Sequence, residues 1–100
     1  MAEYVLTNAV PISYSLKSAL ITEVLFSYDN AEVNLRWVQK RANGTREKSK
    51  ITTLSGPDIA LYRTEVLARI TAGESIDDAM RNAGYVSLIT KESFPTGAIT

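Results

Sequence analysis

The chain has 100 residues, a formal net charge of zero and neither cysteine nor histidine. That length accommodates one domain around a single core, and zero net charge excludes a global field drawing the whole molecule to nucleic acid or to an anionic membrane. The missing residue types exclude disulfides, thiol nucleophiles, imidazole acid/base chemistry and zinc sites of the usual kinds, and no apolar run approaches membrane-spanning length.

The opening residues Met1 to Tyr4 carry no basic n-region, so a secretory signal is not expected and synthesis in the cytoplasm is. Met1 to Pro11 keeps neither a two-residue nor a 3.6-residue period and reads as an extended arm. From Ile12 the chain alternates, with Ile12, Tyr14 and Leu16 against Ser13, Ser15 and Lys17, which predicts a short half-buried strand. Leu20 to Tyr28 is rich in β-branched and aromatic residues and apolar on both phases, with Leu20, Val24, Phe26 and Tyr28 on one and Ile21 and Leu25 on the other. A strand covered on both sides is expected there. Asp29 and Asn30 then supply turn chemistry.

Glu32 to Arg41 alternates more strictly, Val33, Leu35 and Trp37 facing one way and Glu32, Asn34, Arg36 and Lys40 the other. Asn43-Gly44 tolerates the positive φ angles of a type I′ turn, so it predicts a hairpin into a third strand from about Arg46 to Leu54. Pro57 suits the first position of a helix and Asp58 complements its dipole. That helix should run to about Ala72 with Ile59, Tyr62, Val66, Leu67 and Ile70 as its buried stripe. Gly73 is placed for a helix cap, and Ser75 with Asp78 opens a second helix that is expected to end at Gly84, its inner face made by Ile76, Ala79, Met80 and Ala83. Tyr85 to Ile89 is then a fourth strand or a docking segment, and the residues after it, with Phe94, Pro95 and Gly97, form a second arm.

These elements add up to an α+β fold: an antiparallel three- to four-stranded β-meander with two C-terminal helices packed on one face. The core covers 12–89, and extended arms cover 1–11 and 90–100.

Six of the eleven Lys and Arg residues surround the hairpin tip: Arg36, Lys40, Arg41, Arg46, Lys48 and Lys50. A protruding cationic ribbon can meet phosphates or an acidic protein surface, and equally it can be a solvated edge whose charges block aggregation. Trp37 among these cations has the position of a base-stacking residue, but its phase with Val33 and Leu35 assigns it to the core. Glu74, Asp77 and Asp78 are the nearest thing to a carboxylate cluster, and their place beside a helix start gives them a dipole-stabilising role instead. Asn43-Gly44-Thr45 matches a glycosylation acceptor and reads as turn chemistry. Leu61 lies opposite the first helix's apolar stripe and is expected at the surface, where it hints at a contact. No catalytic residue, cofactor or metal is expected.

The segment ending in Tyr14-Ser15-Leu16-Lys17, the run from Ile21 to Asp29, the following strand with its glycine-tipped loop, and Gly56-Pro57-Asp58 leading into a helix resemble small virion-module proteins. Such proteins are encoded among the head and tail genes of tailed bacteriophages, and the likeness covers about Val10 to Ile70. It implies a non-enzymatic structural protein, a capsid decoration or a neck or tail accessory, made in the cytoplasm of the producing cell and carried in the virion. Its partners would be other protein subunits, in a homo-oligomer or as virion neighbours, joined through arms and sheet edge by strand pairing. A small nucleic-acid-binding module using the hairpin 36–50 is the alternative of a different class.

Overall fold

The computed structural model describes residues 3–11, 15–41, 43–94 and 97–99. The strand expected around Ile12, Ser13 and Tyr14 falls largely outside these residues, as does the end of the second arm at Pro95 and Thr100. Strands β1 (Tyr4–Pro11), β2 (Ser15–Ser27), β3 (Glu32–Arg41) and β4 (Lys50–Ser55) precede helices α1 (Pro57–Thr71) and α2 (Ile76–Glu92), and β5 (Gly97–Ile99) follows them. The sheet is antiparallel with strand order β4-β3-β2-β1-β5, and the helices fold back over it, so the α+β architecture is as the sequence predicts.

The sheet is wider than the three or four strands expected because the arms join it. Tyr4 pairs with Ala19 on one side and with Ile99 on the other. Tyr4 and Leu6 alternate inward and are buried, but the register breaks between Val5 and Val10. That irregularity hides the two-residue period over the rest of the arm.

A second irregularity re-phases β2. Ile21 pairs with Trp37 and Glu23 with Arg36, so Thr22 is an extra residue, and everything after it changes face. Ile21 thereby joins Val24 and Phe26 on the helix side, whereas Leu20, paired with Val38, lies on the other. Leu20 and Ile21 are both buried, but Leu25 and Phe26 remain substantially exposed, so the strand is covered on both faces at Leu20 and Ile21 and not at its end.

The hairpin turn also differs from type I′. The Gly44 amide donates to Arg41 O and the Arg41 amide to Thr45 O, each at 2.9 Å. Gly44 has φ 89°, while Asn43 is not among the described non-glycine residues with positive φ. These bonds belong to a type I turn followed by a left-handed glycine in a bulge. Asn43 Oδ1 accepts from the Thr45 amide at 2.9 Å instead. Arg46 then makes only an isolated bridge with Lys40, and regular pairing resumes at Lys50, later than the predicted start of the third strand. Gly44→Val is expected to destabilise by about 1 kcal/mol through φ strain alone, since the space around Gly44 is open. The denaturation midpoint should fall at constant m-value, and an unmoved midpoint would show that the turn has no need of glycine.

Helix α1 ends as Gly73 predicts: the Gly73 amide donates to Ile70 O and the Glu74 amide to Arg69 O, both at 3.0 Å, the bonds of a Schellman motif. Ser75 caps α2 by accepting from the Asp78 amide at 3.2 Å. The expected stop at Gly84 does not occur, and Tyr85 to Ile89 is helix rather than strand. A Cβ on Gly84 would lie 3.0 Å from Ile21 Cδ1 and 3.4 Å from Leu35 Cδ2, so this glycine lets the helix approach the sheet closely. Tyr85 and Leu88 beyond it are fully buried. The helix stops at Ser93, which has φ 55°, where the Phe94 amide donates to Ile89 O at 3.1 Å.

Candidate interaction surfaces

The structure separates the six hairpin cations. Arg36 faces Glu23 at 3.4 Å, Lys40 Nζ is 2.6 Å from Glu3 Oε1, and Arg41 is paired with Glu47. Lys50 Nζ lies 5.6 Å from the centre of the Trp37 ring, within cation–π range. Arg46 and Lys48 are exposed and, among the described residues, have no ion-pair partner. The cationic ribbon of the sequence is therefore three charges without a carboxylate partner among the described residues, Arg46, Lys48 and Lys50, on a hairpin whose other three cations are locally neutralised.

Three phosphates neutralised by three cations give a salt slope of only about −3 on a log–log scale, too little for tight duplex binding at physiological ionic strength. A duplex DNA probe is expected to run unretarded at about 150 mM salt. The Arg46→Glu, Lys48→Glu double variant should keep its stability within about 0.5 kcal/mol. Retardation by the unmutated protein that is lost in the variant would favour nucleic acid as the hairpin's partner.

Trp37 is core, as its phase predicts. Its indole Nε1–H donates to Thr52 Oγ1 at 2.9 Å, and that hydroxyl donates to Glu92 Oε2 at 2.8 Å. The Phe94 ring stands edge-on to the indole with centroids 5.3 Å apart and stacks on Tyr4 at 5.8 Å. The face a base would need is filled by protein.

The carboxylates near the start of α2 have separate roles. Glu74 is held by Arg69 at 3.0 Å and by Asn82 Nδ2 at 2.8 Å, which ties the interhelical turn to α2. Asp77 and Asp78 occupy the first turn of α2, where negative charge suits the dipole. Among the described residues, no group of three or more His, Cys, Asp or Glu is placed to hold a metal ion, and no helix is long and apolar enough to cross a membrane.

Leu61 is exposed, as expected, and lines an open groove between α1 and α2 with Leu54 and Val86. A second apolar surface, on the opposite flank of α1, was not legible in the stripe. Tyr62 of that stripe is buried, and Ile59 and Val66 are half-buried against the core. Leu67, though, is 65% exposed, and Ile76, expected on the inner face of α2, is 63% exposed. With Phe26 at the end of β2, 46% exposed, and with Val66 and Met80, they line a depression of about 300 Å³. Tyr62 forms its floor: its ring meets that of Phe26 at 6.4 Å, and its hydroxyl donates to Met80 O at 2.9 Å. Burial pushes the Tyr62 phenol up to about 12. Phe26 and Arg63 also border a second depression of about 350 Å³, reaching Tyr28 in the β2–β3 turn.

The physical cause is coverage. Two helices share one sheet face, and α2 takes the central position over Ile21 and Leu35 through Gly84, leaving α1 beside it with part of its stripe uncovered. Comparison with protein-family models, curated proteins and solved structures found no match.

Proposed function

We propose that the chain is a non-enzymatic assembly protein that docks on other protein subunits through the apolar surface of α1. A bacteriophage virion, as capsid decoration or neck or tail accessory, is the setting that its resemblance to virion-module proteins suggests. The observation that carries the reading is the concentration of large apolar side chains, Phe26, Leu67 and Ile76, around one depression. Scattered exposed apolar residues are ordinary, whereas a contiguous group marks an interaction site. The β4 edge, with Ile51 exposed beside Lys50, offers strand pairing as a second mode of attachment.

The protein is then made in the cytoplasm of the producing cell and carried in the particle. Particles purified from producing cells test this: the chain should co-purify at fixed stoichiometry and survive a high-salt wash, because apolar contacts are not screened as exposed charges are. Its absence from washed particles would remove the virion reading.

A further inference from the structure

We infer that the apolar surface of α1 pairs with the same surface of a second copy of this chain, related by a two-fold axis. This deepens the assembly reading by naming one partner, and it rests on that reading only for its biological setting.

The apolar centre is Phe26, Leu67 and Ile76 around the depression floored by Tyr62. Its two rims carry exposed, unpaired charges of opposite sign, Arg63 and Asp77, each with a half-buried charge of the other sign nearby, Glu32 beside Arg63 and Arg81 beside Asp77. Arg63, exposed on α1, borders the centre on the side of the β2–β3 turn, where the two depressions meet. Asp77, exposed in the first turn of α2, lies on the other side, across Met80, beside β2 at Thr22. Neither makes an ion pair among the described residues.

A two-fold axis through such a centre maps each rim onto the other. An isologous contact requires that residue i of one copy meet residue j of its mate and j meet i, and this arrangement brings Arg63 of each copy to Asp77 of the other. A patch rimmed by one sign of charge would repel its own copy; this one is self-complementary. The apolar centre supplies the affinity and the rim charges the register. The size fits as well. A standard interface takes roughly 800 Å² per partner, about an eighth of the 5968 Å² surface. The 15-residue helix α1, about 22 Å long, with the flanking turn of α2 and end of β2, can supply that area.

Sedimentation velocity over a concentration series of the isolated protein tests the pairing. A reversible monomer–dimer equilibrium is expected. Leu67→Glu should weaken it by about a hundredfold or more, with unchanged circular dichroism because Leu67 supports no core contact. Arg63→Asp and Asp77→Arg should each weaken it by about tenfold, since each faces like charge across the axis. The variant carrying both should recover to within about threefold of the unmutated protein. Only self-association through this pair gives that rescue.

A protein that stays monomeric throughout, a dimer indifferent to Leu67→Glu, or a double variant no better than the singles would overturn the inference. A monomer found at fixed stoichiometry in washed particles would overturn the pairing while leaving the virion reading intact, and a dimer absent from particles would do the reverse.

Discussion

Trp37→Ala is expected to cost about 4 kcal/mol, the range for removing a large aromatic side chain from a core. In a domain of this size that is a large part of the total stability. Trp37 is 2% exposed and holds several elements together at once: β4 through Thr52, the end of α2 through Thr52 and Glu92, and the β1 end of the sheet through Phe94 and Tyr4. Removing the ring leaves Phe94 without its edge-on partner and Thr52 without its donor. Chemical denaturation followed by circular dichroism reads the effect, since Trp37 is the only tryptophan and its fluorescence vanishes with it. Trp37→Phe isolates the polar part: it keeps most of the volume and loses one hydrogen bond, about 1 kcal/mol. Were the ring a surface for stacking bases, Trp37→Ala would barely move the midpoint.

The fate of Trp37 was legible because β3 obeys a strict two-residue period, which ties Val33, Leu35 and Trp37 to one face wherever the strand lies. The interhelical junction was legible for a similar local reason: Gly73, Ser75 and Asp78 act through bonds spanning three to five residues. What the chain concealed depends on distant partners. Gly84 carries the same composition signal whether it ends a helix or lets one approach a sheet, and only the positions of Ile21 and Leu35 decide. The arm at Tyr4 becomes a strand because Ala19 and Ile99 flank it, one of them at the far end of the chain.

The docking surface was concealed for a third reason. An amphipathic stripe shows which residues avoid water, not whether the fold has enough partners to cover them. Leu67 and Ile76 belong to apolar faces by period, yet α1 is displaced by α2 and leaves them bare. The basic hairpin shows the converse. Its charges are obvious in the sequence, while Glu3, Glu23 and Glu47, which neutralise three of them, come from three different stretches of chain.

Tyr85→Phe is expected to cost about 2 kcal/mol, well above the loss of an ordinary surface hydroxyl, because of the bulge at Thr22. The Ile21 amide donates to the Tyr85 hydroxyl at 2.9 Å, at the point where β2 and β3 shift register. Deleting that oxygen orphans a buried backbone N–H, and such a group costs about 1–3 kcal/mol. The phenylalanine ring itself fits, so packing around Ala83 and Leu88 should be preserved. The result can therefore be read as the energy of one hydrogen bond from α2 to a sheet irregularity.

A pH arm separates this from a packing defect. Burial raises the Tyr85 phenol above its ordinary value, against the lowering influence of the Ile21 bond and Arg81, and burial raises Tyr62 to about 12. A phenol whose folded pKa exceeds its unfolded value contributes stability that is complete below the unfolded pKa and lost as pH rises through the folded one. The unmutated protein should therefore hold its midpoint below about pH 10 and lose stability between that value and about 12. Tyr85→Phe should start lower and lose less over the same window, because only Tyr62 of the pair remains to ionise. Equal alkaline losses in the two proteins, or a midpoint at neutral pH that Tyr85→Phe leaves unmoved, would show that the Thr22 bulge does not depend on this bond.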